Sequence, residues 1–149
     1  MKHLPVGTQV ALSIVQGCLV ASIQADLYDD LLMRIRKGVL DKVHGKTVKG
    51  VILDMSAVRV MDSHAFNHLA ETARMTALLG VKTLFFGFNP GVVSVLVDLE
   101  VDATAIRTFR SIDDAIEHLA GCPVPQENNE EQEKEDHLDL EEDEQEEEM

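Results

Sequence analysis

The chain has 149 residues, enough for one domain with one proper core. Its net charge of −14 is unevenly spread: residues 122–149 hold 14 of the 27 acidic residues and one of the 13 basic ones, which leaves residues 1–121 close to neutral. The scattered lysines and arginines form no dense basic tract, and an acidic tail repels phosphate, so no nucleic-acid partner is expected.

Along the chain, residues 8–15 mix apolar and polar side chains and read as a first strand. Gly17 marks a turn, and residues 18–23 read as a second strand, giving a hairpin. The segment "VALSIVQGC" superficially resembles an export signal. Its apolar run is too short and contains Ser13, and Gln16 is wrong for a processing site, so a strand is the expectation. Leu31, Leu32, Ile35, Val39 and Val43 form a helical stripe, with Asp26, Asp29 and Asp30 at its start and Lys42, His44 and Gly45 at its end. Gly38 inside this helix weakens it slightly. "VKGVILDM" predicts a third strand, buried on both faces. After Asp62 and Ser63 a second helix follows, with Phe66, Leu69, Ala70, Ala73 and Ala77 at helical spacing, ending near Gly80. "VKTLFFGF" is a fourth strand, and Asn89 and Pro90 cap and open a third helix. "TAIRTF" predicts a short fifth strand, and Ser111 with Asp114 opens a last helix.

This order predicts an α/β fold with a mixed, mostly parallel sheet of four to five strands, an antiparallel opening hairpin and four helices. The domain is expected over residues 1–121. Residues 122–149 are too acidic and too poor in apolar groups to repay ordering, so they are expected to be a disordered tail. Cys18 and Cys122 make neither a disulfide framework nor a metal site; Cys18 reads as a buried thiol, and both fit a reducing cytosol. No apolar run reaches the length of a membrane span, so no membrane partner is expected.

"VMDSHAF", residues 60–66, is the candidate site. Ser63 at a helix start reads as an N-cap, a nucleophile or a phosphate acceptor. Consecutive Asp62, Ser63 and His64 diverge from a helix start and cannot stack into a triad, and no G-x-S-x-G elbow is present, so no catalytic residue is assigned. His64 and His68 have the spacing of metal ligands, but Ala65 stands where a zinc protease carries Glu, so no metal is assigned. Gly87, Pro90 and Gly91 match no phosphate-binding motif, and no cofactor is assigned. His64, His68, Glu71, Thr72, Met75 and Leu79 form a second face on the second helix, with Met75 and Leu79 apolar where water is expected. The third helix is apolar on all sides. Its surplus surface needs cover, from the chain itself or from a partner.

"VILDMSAVRVMDSHAFNHLAETARMTALLGVKTLFFGFNPGVVSVLVDLEV" resembles the STAS family, the sulfate transporter and anti-sigma factor antagonist domain. The family pattern is carried by Asp54, Met55, Val58, Asp62 and Ser63 and by the later loop from Gly87 to Pro90. "CLVASIQADLYDD", and the lack of glycine after Ser63, resemble the single-domain scaffold branch of the bacterial stressosome. The resemblance implies a cytoplasmic, non-enzymatic anti-sigma factor antagonist or stressosome scaffold that works by partner switching. It implies a histidine-kinase-like serine-protein kinase that phosphorylates Ser63, a phosphatase that resets it, a sensory STAS paralogue as co-assembling partner, and self-association. Asp62, His64, His68, Met75 and Leu79 are the expected partner-binding residues. A ligand-binding or regulatory module of a transport system is the alternative within the family.

Overall fold

The structure, a computed structural model, describes residues 10–121. The expectations for residues 1–9 and for the acidic tail, including Cys122, lie outside the described residues. Strand β1 (Val10–Val15) turns through Gln16 and Gly17, both at positive φ, into β2 (Cys18–Ile23). Helix α1 (Asp29–Gly45), β3 (Val51–Asp54), α2 (Ser63–Leu78), β4 (Thr83–Phe86) and α3 (Pro90–Asp98) follow, then β5 (Arg107–Phe109) and α4 (Ile112–Ala120). The expected mixed, mostly parallel sheet with four helices is what forms. The fifth strand is shorter than its apolar pattern predicts. Asp102 accepts a hydrogen bond from the Thr104 amide at 3.0 Å and pulls 103–105 into one turn of 3-10 helix instead.

The strands lie in chain order, β1-β2-β3-β4-β5, with β1 antiparallel and the rest parallel. Each parallel step adds a strand on the same side, and crossovers of one hand then place every connecting helix on the same face. The core agrees. Leu19, Ala21, Val51, Leu53 and Phe85 pack with the buried stripes of α1, α2 and α3. The opposite face, with Cys18, Val20, Ile52 and Leu84, is covered by Ala115, Ile116 and Leu119 of α4. Strand β3 is central, and Val51, Ile52 and Leu53 are each 0 % exposed, so its run of apolar residues serves both layers. Cys18 is buried as expected; burial raises its thiol pKa, with Lys49 pulling weakly the other way.

The seat of α4 depends on a missing side chain. A Cβ on Gly50 would stand 2.5 Å from a methyl of Leu119, so any side chain there would force the buried Leu119 to shift. Leu119→Ala should cost about 2–5 kcal/mol through the cavity it leaves. Gly50→Ala should also destabilise, by forcing Leu119 aside. Because the new methyl group at residue 50 occupies the space that Leu119 vacates, the double variant should be more stable than the two losses added together. Urea unfolding of the four proteins measures this coupling.

Candidate functional site

The site is the turn between β3 and α2. Met55, Val58 and Met61 are buried and pin this turn to the core at three points, which leaves Ser56, Ala57, Arg59, Val60 and Asp62 outside. The Met55 amide donates to the Phe86 carbonyl at 2.9 Å and carries the β3–β4 pairing past the strand end. Asp54 accepts from both the amide and the hydroxyl of Ser56. The loop after β4 closes on this turn. A Cβ on Gly87 would lie 3.0 Å from that of Ser56, and Gly87 has a φ of +80°, so glycine is required there twice over. The Gly87 to Pro90 loop therefore acts as a buttress for the serine-bearing turn.

At the start of α2 the cap is Asp62, which accepts from the Ala65 amide at 2.7 Å from an extended backbone. Ser63 is the first residue inside the helix. The reading of Ser63 as the N-cap is corrected: the aspartate one place earlier takes that role, because its carboxylate reaches the third amide of the turn. Ser63 is half-buried, and its hydroxyl makes no hydrogen bond among the described residues.

The neighbouring face of α2 is not open to water along its whole length. The His64 Nε2 atom lies 2.8 Å from an Asp29 carboxylate oxygen, at the start of α1. Arg36 of α1 reaches across and donates to Thr72 Oγ1 (3.2 Å), to the His68 carbonyl (3.1 Å), to His68 Nδ1 (3.2 Å) and to Glu71 (3.0 Å). A guanidinium only donates, so His68 Nδ1 must be an acceptor and the ring neutral, with its proton on Nε2. Burial, then the nearby Arg36 charge, holds the His68 pKa below its ordinary value. Thr72 is wholly buried in this contact. The expectation that this face, Thr72 included, stands opposite the core is thus corrected: helix periodicity shows two stripes but not that α1 packs against the second. Met75 and Leu79, 36 % and 46 % exposed, remain outside, joined by Leu78 at 89 %. Helix α3 buries only Val92 and Leu96, while Val93, Val95, Val97 and Leu99 stay exposed.

With Asp62 spent on the cap and His64 turned to Asp29, the three consecutive polar residues act on different partners and make no relay. Among the described residues no group of three His, Cys, Asp or Glu could hold a metal ion, and no helix is long and apolar enough to cross a membrane. Sequence reasoning missed Arg36, which falls between the stripe positions of α1 and carries no local signal. It also missed a groove of about 620 Å³ beside the site, between α3 and β5. Phe66, one turn after Ser63, and Gly87 of the buttress loop are among its lining residues.

Asp62→Ala should destabilise the domain by about 1 kcal/mol in chemical unfolding, and Asp62→Asn by much less, since the amide oxygen can still cap. The His68 contribution to stability should be complete above about pH 6.5 and be lost as pH falls through its lowered folded-state pKa, because the unfolded chain takes up the proton first. Between about pH 7 and about pH 5 the melting temperature of the wild type should therefore drop more steeply than that of His68→Gln, as read by thermal unfolding across pH.

Residues 9–115 match the family model described as the STAS domain. In sequence the chain is 25% identical over 84 residues to the RsbT co-antagonist protein RsbRA of Bacillus subtilis, a match over 56% of this chain and 31% of that protein. The chain thus matches about a third of the length of that relative. In structure it is similar to a Ser-to-Glu variant of Moorella thermoacetica RsbS, with a TM-score of 0.64, 24% identity, and coverage of 76% of this chain and 96% of that one. It is similar too to a chain of the stressosome, described as a signal integration and transduction hub, with a TM-score of 0.58, 23% identity, and coverage of 73% and 95%. At these identities the structures speak for the fold, and the family model speaks for descent: the chain belongs to the STAS domain family.

Proposed function

We propose that this protein is a regulatory, non-catalytic STAS module of the stressosome type, which binds a serine-protein kinase and is switched by phosphorylation of Ser63. One observation carries the reading. Asp62 supplies the helix cap, so the Ser63 hydroxyl is uncommitted at the carboxyl edge of the sheet and open to modification without loss of the cap. The likeness to RsbRA, named a co-antagonist of RsbT, and to the RsbS fold supports the same class of partner.

A phosphate on Ser63 would add about −1.5 to −2 charge and three acceptor oxygens. Within the domain the effect is modest, since the helix dipole favours negative charge at this position while Asp62 opposes it. A docked partner has no such compensation and must desolvate the new charge. Phosphorylation then favours release, and a phosphatase restores the binding form. In this reading Asp62, His64 and His68 frame the serine, and the exposed Met75 and Leu79 continue the contact surface along α2. A sensory STAS paralogue and further copies of this chain are the assembly partners, in the cytoplasm.

Incubation with the cognate serine kinase and ATP should add one phosphate, mapped by mass spectrometry to Ser63 and absent from Ser63→Ala. Phosphate at another residue, or equal labelling of Ser63→Ala, would sink the assignment. Met75→Glu with Leu79→Glu should weaken kinase binding by about tenfold or more, with a smaller effect on thermal stability because both side chains are partly exposed.

A further inference from the structure

The groove beside the site has a definite chemical demand. Phe66, Phe88, Val93, Val97 and Ile106 give it apolar walls, and Arg110 stands among the lining residues as their only charged group. Arg110 is exposed and makes no ion pair among the described residues. Thr108 lies within β5, with Ile106 just before the strand and Arg110 just after it, and all three line the groove. Strand β5 ends the sheet, and its outer edge has no partner strand among the described residues. Asp98 at the end of α3, with Glu100 and Asp102 after it, opposes negative charge there. An occupant that satisfies this groove carries a short apolar group, with acidic groups gathered toward Arg110 alone.

The chain itself contains such a segment. Among residues 122–149 the only leucines are Leu138 and Leu140, and Asp136, Asp139, Glu141 and Glu142 surround them. The described domain ends at Gly121, 17 residues before Leu138. That length spans up to about 55 Å when extended. A domain of this size has a radius of gyration of only about 13 Å, so the segment reaches any part of the surface. A short tether sets an effective concentration on the order of millimolar, so a contact with a Kd in that range or below is enough for occupancy.

We propose that the acidic C-terminal segment centred on Leu138 and Leu140 docks in the groove between α3 and β5, leucines inward and carboxylates toward Arg110. Residues 135–148 carry ten acidic side chains, which docking brings beside Phe66 and hence beside the start of α2. The segment then acts as an internal screen that lowers access of a partner to Ser63. This last consequence rests on the switch reading above; the docking itself does not.

The test uses the full-length chain, with nitrogen-15 labelling and the amide signals of Val93, Val97, Ile106 and Thr108 as the readout. Leu138→Ser with Leu140→Ser, which leaves the domain sequence untouched, should shift these signals. Raising salt to about 0.5 M should shift wild type in the same direction, since the charged part of the contact is screened. Arg110→Glu should reproduce the displacement, and combining it with Asp139→Lys and Glu141→Lys should reverse it. Unmoved groove signals in the leucine variant would overturn the proposal. So would a wild-type shift that disappears on tenfold dilution, which assigns the groove to a second copy, or a groove that responds only to added decanoate, which assigns it to acyl carboxylates. In kinase assays the leucine variant should be phosphorylated several-fold faster at Ser63. A chain that shows the groove shifts but no phosphate on Ser63 would overturn the switch and leave the docking in place.

Discussion

The geometry at the Ser63 edge depends on the burial of Val51, Ile52 and Leu53 in β3. Four residues, Val51–Asp54, lie between two parallel neighbours, with α1, α2 and α3 packed on one face and α4 on the other. A strand whose apolar residues serve two layers has little freedom of register, because a slip by one residue would exchange those layers. The turn that follows inherits this constraint through Met55, Val58 and Met61. Asp62 and Ser63 therefore leave the core at a set height above the sheet, and α2 starts where the turn delivers it.

Two adjacent side chains then divide two tasks. Asp62 satisfies a backbone amide that the helix start would otherwise leave unpaired, and Ser63 is left without a structural duty. Under the function proposed above, modification of Ser63 leaves the Asp62 cap in place. The same logic extends to the loop after β4. Gly87 permits backbone to pack on Ser56, so the serine-bearing turn is held from behind by chain rather than by side chains that could rearrange.

The bridge from Arg36 gives α1 and α2 a common frame. Its side chain is only 16 % exposed and it serves acceptors on three successive positions of one α2 face. Charge-assisted bonds of this kind specify orientation more than they add stability, because the guanidinium loses its water to make them. On the second helical face Thr72 is thus buried and His68 half-buried, while His64 and Glu71 stay exposed along with Met75 and Leu79. Met75, Leu78 and Leu79 leave apolar surface exposed at the C-terminal end of α2.

The order of elements, the caps at Asn89 and Ser111 and the double burial of β3 were legible in the sequence, as was the placement of Ser63 at a helix start. Each is a local property, set by periodicity, by capping chemistry or by an unbroken apolar run. Which residue caps α2, what covers its second face and where the surplus apolar surface of α3 lies were decided only in three dimensions. Asp62 and Ser63 are equally good caps by composition, and only the path of the chain out of the core chooses between them. Arg36 and His68 are 32 residues apart, and Gly50 and Leu119 are brought together by the packing of α4 across the sheet. No local pattern encodes such pairs, because their contact is a consequence of how the layers pack.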